Sequence, residues 1–208
     1  MKSSSSSRKG ALKVKAPKFY KIGPDPRIAG EPGWRIQNLN ALLMGRPVLC
    51  PPIGQRGFDV FPDTPLLVIA PSSGRPPYDL EQCHDYWLVS DALKNILERV
   101  DAAGVAFVRC EVWIEDGGRG PSYWLCDILR LLDAIDEANS HVTVKFVPNR
   151  IYSLLGGASL TFKADVVNSS HIWRTRYMED LVFCDDRMRE ACKEADLAGI
   201  RFRDVSKL

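Results

Sequence analysis

The chain has 208 residues, 45% of them hydrophobic and 26% charged, enough to bury a core and too apolar to be disordered throughout. Its formal charge of +2 hides an asymmetry. Seven of the 28 Lys and Arg (Lys2, Arg8, Lys9, Lys13, Lys15, Lys18, Lys21) fall in residues 1–21, which carry no acid, so the other 21 face 26 acidic residues and Ile22 onward is net −5. That balance argues against nucleic-acid binding by the folded part and favours a basic partner.

In chain order, residues 1–21, with the serine run Ser3–Ser7, read as a basic disordered leader. Residues 22–80 are punctuated by Gly23-Pro24, Pro32-Gly33, Pro51-Pro52 and Pro76-Pro77, so short strands and loops are expected there. Asn38–Met44 suits a short helical turn, and Pro65–Ala70 (PLLVIA) a strand bounded by breakers. Residues 81–208 read as an α+β core holding an internal repeat, 86–112 and 181–207, at a shift of 95 positions.

In the first copy Tyr86–Val89 is strand-like and Ser90 suits a helix N-cap. Leu93, Ile96, Leu97 and Val100 follow at helical spacing. In the second, Leu181–Cys184 leads to Asp185, then Met188, Ala191, Cys192 and Ala195. Gly104 and Gly199 are expected to close the two helices in the left-handed conformation, ahead of strands beginning Val105-Ala106-Phe107 and Ile200-Arg201-Phe202. Glu115–Pro121 reads as a turn. In Ser122–Ser140, Leu125, Ile128, Leu129, Leu132 and Ile135 are spaced for a helix, although Tyr123–Leu125 also suits a strand. Val142–Val147, Ile151–Leu155 and Ile172–Tyr177 are strand candidates. The predicted class is α+β, with a mixed, mostly antiparallel sheet, a duplicated strand-helix-strand module and a Pro/Gly-rich N-terminal part.

The sequence offers little chemistry. Six cysteines (Cys50, Cys83, Cys110, Cys126, Cys184, Cys192) form no CxxC pair, and most lie in apolar runs, as reduced core thiols do. Neighbouring Cys83-His84 does not make a nucleophile and base, because sequence neighbours point apart along an extended chain. Gly117-Gly118 and Gly156-Gly157 fit no phosphate-loop pattern. The acidic groups Asp133, Asp136, Glu137 and Glu179, Asp180, Asp185, Asp186 match no calcium loop. No catalytic residue, metal site or cofactor is expected. Trp113, Tyr123 and Trp124 flank the acidic turn, and Trp173 and Tyr177 lie among Arg174 and Arg176; Trp, Tyr and Arg are enriched where proteins grip one another. No apolar run reaches the roughly 18 residues of a membrane span, and MKSSSSSRKG lacks a secretory apolar stretch, so a cytoplasmic protein is expected.

The stretch Tyr123–Ser140, YWLCDILRLLDAIDEANS, resembles the central motif of a bacterial immunity-protein family, the eleventh-numbered class of polymorphic toxin systems. Leu132-Asp133-Ala134-Ile135-Asp136 and Ser140 stand where that family has its "VDALD"-like segment and serine. Leu88–Leu93, His171-Ile172-Trp173-Arg174 and Asp196–Val205 match further segments, and the likeness runs from about Pro65 to Val205; Trp34 and Pro51-Pro52 are only loosely comparable. The resemblance implies an antitoxin that binds and neutralises a cognate toxin or effector domain, with no catalytic residues to carry over. The contact residues expected here are Trp113, Glu115, Asp116, Arg119 and Tyr123 around the turn, then Asp133, Asp136 and Glu137. Two other readings stay open: a small enzyme that reverses toxin damage through Cys83, His84 or the acidic clusters, and a nucleic-acid-binding regulator gripping phosphates with its leader.

Overall fold

The computed structural model describes residues 17–52, 54–59, 61–146 and 148–208. In chain order the strands and helices are β1 (Phe19–Pro24), β2 (Trp34–Ile36), α1 (Leu39–Leu43), β3 (Leu66–Ile69), β4 (Leu80–Cys83), β5 (Tyr86–Ser90), α2 (Asp91–Asp101), β6 (Val105–Arg109) and β7 (Glu111–Ile114). There follow β8 (Tyr123–Ile128), β9 (Leu131–Leu132), β10 (Thr143–Phe146), β11 (Arg150–Ser153), α3 (Ala164–Val167), β12 (Ile172–Thr175), β13 (Met178–Asp185), α4 (Asp186–Glu194) and β14 (Ile200–Asp204). The protein is α+β with mostly antiparallel sheets, as its composition and spacing predict.

The duplicated module is larger in space than in sequence. In the first copy β5, α2 and β6 are consecutive, yet β5 and β6 are not neighbours: β8 lies between them, antiparallel to both, in the order β4-β5-β8-β6. In the second copy β13 and β14 flank β1 in the same way, within the order β14-β1-β13-β12-β9. Each unit is thus a strand-helix-strand crossover with a foreign strand inserted, drawn from downstream in one copy and from the N-terminus in the other. Lys21, grouped by charge with the leader, is a residue of β1, so the ordered fold begins before Ile22; residues 1–16 of the leader lie outside the described residues.

Both helices start as their sequences predict. The Ser90 hydroxyl accepts from the Leu93 N–H at 3.2 Å, and the Asp185 carboxylate accepts from the Met188 N–H at 3.1 Å, each satisfying an N–H that the first turn leaves open. The ends differ from expectation. Gly104 is not left-handed; it sits in a 3-10 turn where a Cβ would lie 2.7 Å from Arg130 Nη1 and 3.0 Å from Ile172 Cγ2, so a larger residue would have to displace the guanidinium that pairs with Asp101. In the second copy Asp196, at φ 51°, takes the left-handed position after α4, and Gly199, at φ 81°, makes the later entry to β14.

The apolar stripes of α2 (Leu93, Ile96, Leu97) and α4 (Met188, Cys192) share one core with Trp87, Val89, Ile128, Ile22 and Val182 from both sheets. Burying a leucine such as Leu93 or Leu97 contributes about 1.5–3 kcal/mol. Asp101, at the end of α2, ties the first copy to the start of β12 in the five-stranded sheet: its carboxylate accepts from His171 N at 2.7 Å and Ile172 N at 3.2 Å and pairs with Arg130. The opposite face of the four-stranded sheet, with Tyr86, Leu88, Tyr123 and Leu125, packs on the sheet β2-β3-β7 through Leu67, Ile69 and Val112. A third core gathers Tyr152, Leu160, Phe162, Trp173 and Phe183.

The helix expected over Ser122–Ser140 does not form. The segment is β8, then β9, then a loop. β8 has sheet neighbours on both sides and packed layers on both faces, so Leu125, Cys126, Asp127 and Ile128 are all buried and no alternation marks the strand.

Candidate functional site

The acidic turn is built by its own residues. β7 pairs in parallel with β3, then reverses: the Ile114 N–H donates to the Gly118 carbonyl at 2.8 Å, and Gly117 takes φ 96°. Asp116 closes the loop by accepting from the Gly118 N–H at 3.1 Å, and Glu115 accepts from the Ser72 hydroxyl at 2.8 Å. The returning strand places Arg119 opposite Trp113, with the guanidinium 4.1 Å from the indole ring centroid. Glu111, which the sequence did not single out, fastens both: its Oε1 accepts from Trp113 Nε1 at 3.2 Å and Arg119 Nη1 at 3.0 Å. Arg119 and Glu111 of this stack line an open cleft of about 680 Å³, together with Thr64, Val108 and Arg109. Trp113 and Arg119 therefore come together, with Glu115 and Asp116 in the turn that joins them.

Tyr123 does not join them. It is a core residue of β8 whose hydroxyl donates to the Pro77 carbonyl at 2.7 Å, and burial pushes its phenol up to about 12. A large aromatic at the start of a strand buried on both faces has no route to the surface.

The second group lies in the loop after β9. Asp136 accepts from the Ala138 N–H at 3.2 Å and from Asn139 Nδ2 at 2.7 Å; those bonds, the Asn139 side chain first, hold its carboxyl below the usual range. Glu137 accepts from the Tyr152 hydroxyl at 2.6 Å and pairs with Arg150, which lowers it likewise. Asp133 is exposed. The carboxylates brace a loop and do not converge; among the described residues no group of three or more His, Cys, Asp and Glu is placed to hold a metal ion.

Arg150 lies over two rings, 5.4 Å from the Tyr152 centroid and 4.9 Å from that of Tyr177. Neither tyrosine is in the contact set read from sequence. Tyr177 was visible as an aromatic among arginines, whereas Arg150 and Tyr152 become partners of Glu137 only through the tertiary fold.

The Cys83-His84 pair is not a catalytic dyad. Cys83 is buried, its thiol pushed up to about 12 by burial, while His84 sits exposed in a hairpin turn at φ 57°. Trp173 is fully buried and belongs to the core. All six cysteines are free thiols; five are buried and Cys50 is half-buried.

The most buried charges form a cluster with no sequence signature. Asp127, fully buried in β8, pairs with Arg56 and accepts from the Gly57 N–H at 2.7 Å. Arg56 also reaches Asp85 at 3.2 Å. Arg174 of β12 donates to the Asp85 carbonyl at 2.9 Å and the Glu179 carbonyl at 2.6 Å. Burial pushes the Asp127 carboxyl up, and the Gly57 N–H and Arg56 guanidinium pull it back. Arg56 and Gly57 tie the loop at 54–59 to Asp127 of β8 and to Asp85 in the β4–β5 turn, and Arg174 ties that turn to β12. Asp127 has no exposure through which to meet a substrate.

No helix among the described residues is long and apolar enough to cross a membrane. No curated protein matches the chain. Residues 18–207 match the Immunity protein family (Imm11), a span that includes both copies of the module, the turn and the acidic loop. The chain belongs to that immunity protein family.

Proposed function

We propose that this protein neutralises a cognate toxin in the cytoplasm of the cell that makes it, by forming a stoichiometric complex. The observation that carries the reading is the family match over nearly the whole chain. The site geometry agrees with it. Trp113, Arg119 and Glu111 satisfy one another, the last two lining an open cleft, an arrangement that presents a preorganised surface rather than an activated nucleophile. Glu115 and Asp116 stand exposed beside it, on a body whose charge from Ile22 onward is net −5. Opposite charge on a toxin would be steered toward that rim.

The test is co-purification of the full chain with the C-terminal domain of the protein encoded beside it, using wild type and the double variant Glu115→Lys/Asp116→Lys. The wild type is expected to co-elute and to restore growth of cells expressing that domain. The double variant should associate about tenfold more slowly at low salt. Restored growth with no complex would mean that the toxin's damage is reversed enzymatically. An unchanged association rate would remove Glu115 and Asp116 from the contact surface.

A further inference from the structure

The residues around Glu137 belong to a wider surface. β10 and β11 form a two-stranded hairpin outside the larger sheets. Its register, Val144 opposite Tyr152 and Phe146 opposite Arg150, puts those four side chains on one face. Tyr152 enters the core at one end of that face; Phe146, at the other, is 71% exposed. Ile151, on the opposite face, is 41% exposed, and Leu155, just beyond the hairpin, 79%. A two-stranded hairpin is marginal unless its apolar side chains are packed. Half of the six large exposed hydrophobics among the described residues lie on this one segment, a concentration that isolated surface hydrophobics do not show.

Beside the hairpin is a cleft of about 480 Å³, lined by Arg150 and Tyr152 and, from the β12–β13 connection and β13, by Tyr177, Glu179 and Asp180. Tyr177 holds φ 65°, costly for an aromatic residue and tolerated where surroundings fix it. The Arg150 charge is already committed to Glu137. Glu179 and Asp180 are exposed, and among the described residues neither carboxylate forms an ion pair; Asp180 acts on Lys21 only through space. The face thus combines a solvent-exposed phenylalanine, a Tyr-Arg-Tyr stack of the composition that dominates binding energy at contacts, and two uncommitted acids.

We infer that this face is a docking site for a segment of the toxin that carries an apolar side chain flanked by Lys or Arg. The inference rests on the proposed function and assigns that function a contact surface separate from the acidic turn. Phe146 is the anchor, and Glu179 and Asp180 receive the cations. A second copy of this chain is the poorer occupant. A two-fold contact brings the same patch against itself, and among the described residues the one cation lining this cleft, Arg150, is already paired with Glu137, so the patch offers Glu179 and Asp180 no free partner.

The experiment measures binding kinetics between the full chain and the purified C-terminal domain of the protein encoded beside it, for wild type, Phe146→Ala and Glu179→Lys/Asp180→Lys. All three substituted positions are exposed, so the variants should keep the wild-type melting temperature. Phe146→Ala is expected to weaken binding about tenfold or more through faster dissociation. The charge reversal should slow association about tenfold and flatten its salt dependence. If wild type binds and both variants bind within about twofold of it, the docking site is wrong while the neutralisation reading stands. No wild-type complex would overturn both. A concentration-dependent dimer of the wild type that Phe146→Ala abolishes would overturn this inference in favour of self-association.

Discussion

Asp127 is the residue on which the packing of three elements depends. Its carboxylate is the fully buried counter-charge to Arg56, close to Arg174, which is itself only 4% exposed. Removing one partner of a buried pair leaves the others uncompensated, which costs about 3–5 kcal/mol. Asp127→Ala should therefore lower the free energy of unfolding by that amount, read as a fall in the denaturant midpoint at constant slope, whereas a loss under about 1 kcal/mol would mean that the cluster does not hold the loop at 54–59. None of this is legible in the sequence. Within WLCDIL an aspartate reads as the polar face of a helix, and its partners Arg56 and Arg174 lie 71 and 47 positions away. Tyr123 was misplaced for the same reason: beside a polar turn it reads as surface, and only the sheet on its far side makes it core. Glu115, Asp116 and Arg119 were legible because a Gly-rich polar turn has nowhere to go but outward.

At the scale of elements, local rules served where one face of an element meets solvent. The caps of α2 and α4 and the α2 stripe fell where spacing placed them, the α4 stripe did so as far as Cys192 while Ala195 lies exposed past the helix end, and β3, β10 and β12 lie within the runs chosen for them. Each cap is testable. Ser90→Ala and Asp185→Ala should each cost about 1 kcal/mol or more in equilibrium unfolding, because each cap makes a second bond, Ser90 Oγ to the Asp79 carboxylate and Asp185 to His171 Nδ1 at 2.7 Å. Equal, negligible losses would mean that packing alone fixes the helix starts. Local rules failed at β8, where burial on both faces erases the period of two that identifies a strand. They also failed at the helix ends, where Asp196 rather than a glycine takes the left-handed turn.

Over the whole molecule, the repeat was visible in sequence only as strand, helix and strand. The strand that completes each copy is not part of the repeating stretch, so a shift of 95 positions cannot reveal it. In the second copy that strand is β1, hydrogen-bonded to β13 on one side and β14 on the other. Deleting residues 1–24 should leave β14 without a partner and abolish a single cooperative unfolding transition, while deleting only residues 1–16 should leave the transition in place. Retention of wild-type cooperativity without β1 would contradict this account of the architecture. The two surfaces proposed for contact, the Trp113-Arg119 stack with its acidic turn and the Phe146 hairpin, are carried on elements the cores hold in place, as preorganised binding requires.

The most direct test of the central claim is a titration. The toxin domain encoded beside this chain would be held at a fixed concentration well above the dissociation constant, and its activity followed as the full chain is added. Neutralisation by binding predicts a linear loss of activity that ends at one molecule of this protein per toxin. Full protection at a small fraction of that ratio would mean turnover, and toxin activity unaffected at large excess would remove that domain as the partner.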